Sequence, residues 1–212
     1  PQPGAVRMWL WHAFAGGCSF ACTYRYRQPL YGSEQYHYGI VGTDGVTASP
    51  GGLEYSQMSK EMAQLRALYD PQAVVPAEYK AKKTAILWSH DNYWDIDIQK
   101  RTSEWSTWDH VFKYMEIVKS FGAPVDWIAE YSDFSQYPFL IVPAFQIIDE
   151  QIVNKWTKYA EQGGNLIISC RTGHKDHNGH LFETKWAEPM YELIGAKIEF
   201  YDLLPGNIKG QI

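Results

Sequence analysis

Three cysteines in 212 residues are too few, and odd in number, for a disulfide framework, and their spacings repeat no pair. That usage favours a reducing compartment, with the cytoplasm the expected location. No apolar run approaches the roughly 20 residues a helix needs to cross a bilayer. The first residues are not a charged stretch leading into an apolar segment either, so no membrane partner is expected. Positive charge is scarce: 19 Lys and Arg stand against 24 Asp and Glu, for a formal charge of −5. No basic cluster with interleaved aromatics occurs, so nucleic acid is not an expected partner. Internal repeats and low-complexity stretches are also lacking. What the chain has in quantity is rings, with nine Trp and fifteen Tyr. Large ring-filled cores account for them, and so does carbohydrate binding, because apolar sugar faces stack on indole and phenol rings. The apolar share of 45% suffices for one large domain or two modest ones.

Along the chain, Met8, Trp9, Trp11, His12 and Phe14 predict a buried helix over 5–15, stopped by Gly16 and Gly17. Residues 19–28 alternate Phe20, Cys22, Tyr24 and Tyr26 against Ala21, Thr23, Arg25 and Arg27, the period of a strand, which Pro29 ends. Residues 30–44 have no sustained period and read as a long loop, a place where function concentrates. Ser49 and Pro50 open a helix whose Met58, Met62, Leu65 and Leu68 share one face. Residues 71–83 read as a linker, with the boundary near Lys82, dividing the chain into 1–81 and 82–212. Beyond it short apolar runs alternate with amphipathic helices. The runs are Thr84–Trp88, Val125–Ile128, Phe139–Pro143, Asn165–Ser169 and Lys197–Tyr201. One helix carries Trp108, Val111, Phe112, Met115 and Val118, and another, capped by Asp149, carries Ile152, Val153, Trp156 and Tyr159. This order predicts an α/β, flavodoxin-like three-layer domain around a parallel sheet.

The densest polar cluster follows the alternating segment: Arg25, Arg27, Tyr31, Glu34 and His37, among four further tyrosines. A polar, aromatic loop after a strand is where α/β barrels keep their sites. Glu34 and His37 suit sugar hydroxyls, since a carboxylate accepts several hydrogen bonds and an imidazole both donates and accepts. On spacing alone, an Arg–Glu ion pair that braces the loop is the favoured reading of the same residues.

The segments Pro3-Gly4-Ala5-Val6-Arg7-Met8-Trp9, His12-Ala13-Phe14-Ala15-Gly16-Gly17, Tyr24-Arg25-Tyr26-Arg27-Gln28 and Glu34-Gln35-Tyr36-His37 carry a specific resemblance. Together they resemble the end of the catalytic barrel in glycoside hydrolase family 42 β-galactosidases, and the likeness runs on to about Pro205. It implies that residues 1–81 are the last helix–strand–helix of a TIM barrel. It also implies that Glu34 and His37 bind galactose hydroxyls, with Tyr31 facing the sugar and Arg27 completing the set. Tyr24 and Tyr26 stand where the family usually has Phe and Trp. Such enzymes retain configuration with two glutamates roughly 5 Å apart. By resemblance both lie upstream of Pro1, so no catalytic residue is expected in this chain and, alone, it is expected to be inactive. Glu34 is then a binding group and not the nucleophile, because its strand fits the barrel's eighth and not its seventh. No cofactor is implied. Residues 82–212 resemble the family's trimerisation domain, which implies a homotrimer acting on terminal β-D-galactosides.

That domain is itself similar to class I glutamine amidotransferases, so Cys170 in Ser169-Cys170-Arg171-Thr172-Gly173-His174 invites a nucleophile reading. The small residues a nucleophile elbow needs are missing, however, and Cys170 is expected to be a quiet thiol at the end of a buried strand. His174, His177 and His180 with Asp176 match no recurrent zinc spacing and read as a solvated loop, so no metal is expected. Trp88, Trp94, Trp105 and Trp108 read as core or as subunit contact.

Overall fold

The computed structural model describes residues 1–70 and 72–204, grouped in two compact units, Pro1–Ala73 and Val74–Ile212. In the first unit, helix α1 (Ala5–Ala15) packs on helix α2 (Pro50–Leu68). Ser49 caps α2 with Pro50 behind it, as their order predicts. The grip between the helices is largely ionic. Glu54 accepts the backbone N–H groups of Gly4 (2.5 Å) and Arg7 (3.1 Å), placing a carboxylate at the amino end of α1, where the helix dipole favours it. Two turns along α2, Glu61 accepts from Arg7 Nε (2.8 Å) and Trp11 Nε1 (2.8 Å). Apolar burial is slight by comparison. Leu10 and Met58 are buried, whereas Met8 and Trp9 are 60% and 56% exposed, so the expectation of a buried first helix is corrected: α1 hides one stripe only.

The alternating segment 19–28 is not a strand. Its backbone makes one-sided contact with residues 40–41: Ile40 N donates to Arg25 O, Val41 N to Tyr26 O, and Gln28 N to Val41 O, at 2.8–3.1 Å. An isolated Arg27–Val41 bridge is the outcome. The described residues of this unit hold no strand for it to join, so the alternation has no face to bury, and Phe20 stays 80% exposed.

The second unit begins with helix α3 (Ala77–Ala81), in the stretch that reads as a linker. Then come β1 (Thr84–Leu87), α4 (His90–Ile98), α5 (Thr107–Ser120), β2 (Val125–Ile128), β3 (Phe139–Val142), α6 (Glu150–Glu161) and β4 (Asn165–Ile168). A 3₁₀ turn at Glu188–Met190 and helix α7 (Tyr191–Ile194) follow. Ser89, Ser106 and Asp149 cap α4, α5 and α6 by accepting a backbone N–H three residues on. All four strands are parallel, in the order β2-β1-β3-β4. Both faces of the sheet are covered, as parallel sheets require. Ala85, Leu87, Leu140 and Val142 face α6, whose Trp156 is fully buried among them. Ile86 and Ile141 face α5 through Val111 on the other side. Four of the five predicted runs are thus strands. The fifth is corrected: Lys197–Tyr201 lies outside the sheet, because Tyr201 packs on the rings of His174 and Trp186 and Ile198 O accepts from Tyr191.

Candidate functional site

The polar loop of the first unit is pinned at its far end by Ser49. Its buried hydroxyl donates to Gly39 O (2.6 Å) and accepts from Gly52 N (3.0 Å). Gly39 permits the closure, since a Cβ there would lie 2.6 Å from Tyr26 O. Asp44 shapes the turn beyond by accepting from Val46 N and Thr47 N, both at 3.0 Å.

Within this frame one oxygen of Glu34, Oε2, accepts from the Tyr24 hydroxyl and from Arg25 Nη1, both at 2.7 Å. The Arg25 guanidinium lies 4.7 Å from the centre of the Tyr24 ring. The Tyr24 bond first, then the charges of Arg25 and His37, hold the Glu34 carboxyl below its ordinary range, so it is ionised at neutral pH. The same bond raises Tyr24. Glu34 Oε1 has no partner among the described residues and can accept from a ligand. Tyr31 and Glu34 share a shallow pocket with Arg25, Pro29, Gly32 and Ser33, and Tyr31 is 84% exposed. His37 is exposed, three residues on, its N–H donating to Glu34 O (2.9 Å). Arg27 is placed elsewhere: its guanidinium donates to Thr43 O at 2.6 and 3.2 Å and lies against Gly45, bracing the turn. The structure therefore brings Glu34, Tyr31 and His37 to one loop surface and points Arg27 away. Tyr24 and Arg25, left out of the expected binding set, hold the carboxylate. No spacing rule announces a partner ten residues away across an irregular loop.

In the second unit Cys170 follows β4 and is exposed as a residue, which corrects the expectation that it sits buried at a strand end. Enough protein surrounds the sulfur for desolvation to raise the thiol above its ordinary value, against the opposing charge of Arg171. A raised thiol is a poor nucleophile at neutral pH. Its neighbour Ser169 is bonded to His110 Nε2 (3.0 Å), a pair that sequence reading missed. Ser169 Oγ also accepts from Ala144 N (2.7 Å) and lies 3.1 Å from Cys170 O, so it serves as a staple between β3 and β4. The histidine loop divides. His177 and His180 are exposed, but His174 is only 7% exposed, correcting its reading as part of a solvated loop. Among the described residues no group of three or more metal-ligating side chains converges. Of the tryptophans, Trp88 stacks on Trp108 at 4.6 Å and lies 5.5 Å from Trp127, while Trp94 is 57% exposed.

One unit with a parallel sheet covered by helices on both faces, and one with a helix pair and a pinned carboxylate loop, define a chain of the α/β class built from two units. Residues 82–212 match the family described as the β-galactosidase trimerisation domain, and residues 1–65 match the glycoside hydrolase family 42 β-galactosidases. The chain belongs to this β-galactosidase family. It is 27% identical to the β-galactosidase BgaH of Haloferax lucentense, over 100% of this chain and 30% of that protein. To the β-galactosidase of Thermus thermophilus it is 25% identical, over 98% of this chain and 30% of that protein. Its fold is similar to that of the polyextremophilic β-galactosidase of Halorubrum lacusprofundi, with a TM-score of 0.84 and 28% identity over 98% of this chain and 30% of that one. The chain thus spans about 30% of the length of the relatives it matches.

Proposed function

We propose that this chain is a portion of a retaining β-galactosidase, supplying part of the wall that binds the terminal galactose and the domain that assembles subunits into a homotrimer. The observation that carries the first part is Glu34: one oxygen saturated by Tyr24 and Arg25, the other unoccupied, on an exposed loop beside Tyr31. An ionised acceptor held by two donors is pre-oriented, and a sugar hydroxyl that meets Oε1 costs no reorganisation of the loop. Tyr31 offers its ring to an apolar sugar face, and His37 a second polar contact. Arg27 belongs to this reading only as the brace of the loop. The proton donor and nucleophile of hydrolysis are assigned to no residue of this chain. The strand order 2-1-3-4, continuous with the flavodoxin-like order, supports a flavodoxin-like reading of the second unit. The match of residues 82–212 to a trimerisation domain supports the homotrimer.

The test is Glu34→Gln in the complete enzyme. Hydrogen bonds from a charged acceptor strengthen as the transition state forms, so kcat/KM should fall by about 2–4 kcal/mol equivalent with the melting temperature nearly unchanged. Near-normal turnover would reduce Glu34 to a brace for Arg25.

A further inference from the structure

Outside the carboxyl ends of β3 and β4, where open parallel sheets leave a crevice, the second unit encloses a cavity of about 240 Å³. Its walls are of two kinds. Trp105, Trp186, Tyr201, Leu181 and Ile198 supply apolar surface; Trp186 and Tyr201 meet edge to face at 4.9 Å and 89°. Arg101 and Arg171 supply positive charge. Arg171 lies 4.7 Å from the Trp105 ring centre and donates to Lys100 O (3.1 Å), Gln99 O (3.3 Å) and Gln146 Oε1 (3.4 Å). Neither arginine forms an ion pair with a carboxylate among the described residues. The other buried polar groups are answered within the wall: Lys175 pairs with Asp95 at 2.7 Å, and the Gln146 amide donates to the same carboxylate.

His174 is not answered. It is 93% buried by its 7% exposure, lines the cavity, and lies 5.1 Å from Trp186 and 5.2 Å from Tyr201, yet neither ring nitrogen has a hydrogen-bond partner among the described residues. Its ring nitrogens are not among the fully buried atoms without a partner, so they reach the cavity space, where a ligand can complete them. One carboxylate, Asp202, also lines the cavity, and its Oδ1 accepts the Leu203 N–H at 2.7 Å, leaving two cations against one anion. Arg171 and Arg101 both hold left-handed backbone, φ 64° and 74°, which aims them from two separate turns into one space.

We propose that this cavity binds a small planar aromatic carboxylate, its ring between Trp105 and the Trp186–Tyr201 corner and its anionic end on Arg101 and Arg171, with His174 as a further hydrogen-bond partner. The size fits, since an apolar cavity of roughly 150 Å³ holds one benzene-sized ring and the remainder admits a carboxylate. The ring matters because a bare anion leaves the aromatic walls uncovered, and the charge matters because a neutral ring leaves both guanidinium groups unpaired.

The experiment titrates benzoate into this chain, followed by calorimetry and by the tryptophan indole N–H resonances. Saturable binding that moves the Trp105 and Trp186 signals is the expected result, with acetate and benzyl alcohol each at least about tenfold weaker. Arg101→Gln should weaken benzoate by about tenfold, and Asp202→Asn should tighten it, since it removes the competing carboxylate from the wall. The Asp202→Asn arm reads a gain and so does not depend on a damaged fold. Absent binding, acetate or benzyl alcohol binding as well as benzoate, shifts confined to other tryptophans, or an Arg101→Gln affinity equal to that of the parent overturns the proposal.

Discussion

At the scale of single residues, what matters is how many of a polar group's bonds the protein itself supplies. Glu34 is half supplied, with one oxygen held by Tyr24 and Arg25 and the other without a partner among the described residues, and that asymmetry is what supports the proposed binding role. Arg27 is the contrast, since both of its bonds go to one carbonyl of its own loop. His174 has no side-chain hydrogen bond among the described residues, and burial, followed by the charges of Arg171, Arg101 and Lys175, pushes it down from 6.5 to about 4. A histidine whose folded value is depressed resists protonation in the native state, while the unfolded chain takes up the proton first. Stability is therefore whole above the ordinary value of 6.5 and falls as pH drops toward about 4. Urea midpoints measured at intervals across that range should show this slope in the parent and lose most of it in His174→Gln. A variant with the parent's slope would place the acid sensitivity elsewhere.

Elements are held by different forces in the two units. Between α1 and α2 the contacts are carboxylates answering donors, and Glu61 is pulled down to about 2, chiefly by its bond to Arg7 and then by Trp11. This is the opposite sign from His174: the contribution is present above the ordinary carboxylate value and fades as pH falls from about 4.5 toward about 2. Glu61→Gln should flatten acid unfolding of the helix pair in that lower window, followed by circular dichroism, and leave the higher window unchanged. Gly52 adds a steric requirement, for a Cβ there would come within 2.0 Å of Ile40 O. In the second unit the force is apolar burial. Trp156 of α6 is 0% exposed among Leu87, Leu140, Val142 and Phe145, and its indole N–H has no partner among the described residues. Trp156→Ala should cost about 3–5 kcal/mol through the cavity it leaves. Trp156→Phe, which also removes the unpaired N–H, should cost under about 1.5 kcal/mol. Equal losses in the two variants would show that ring volume is not what anchors α6.

The whole molecule combines a unit proposed to face substrate with a unit proposed to assemble subunits. Sedimentation of the 24.4 kDa chain should give the mass of three copies, and a monomer at micromolar concentration would contradict assembly through this chain alone. The same preparation should not hydrolyse nitrophenyl galactoside. A retaining glycosidase needs a proton donor and a nucleophile roughly 5 Å apart, and Glu34 is engaged by Tyr24 and Arg25 instead of facing a second carboxylate. Turnover that persists on repurification and vanishes in Glu34→Gln would reverse the roles assigned here.

Local order carried much of this architecture into the sequence. Ser49-Pro50 marks a helix start and Asp149 a cap, because these depend on neighbours within four residues. Four β-rich runs alternating with amphipathic helices announce a parallel sheet for the same reason, and the family motifs single out the loop of Glu34 and His37, whose binding role is a proposal. Tertiary structure alone decided whether a pattern found a partner. Residues 19–28 alternate as a strand does but meet no strand among the described residues, and Lys197–Tyr201 is apolar enough for a strand but spends Tyr201 on His174 and Trp186. Likewise, the Tyr24 and Arg25 bonds to Glu34, the burial of His174, and the meeting of Arg101 with Arg171 join residues whose separation no period encodes. Periodicity reports which face a residue is on, whereas long-range contacts form only when the folded chain brings those faces together.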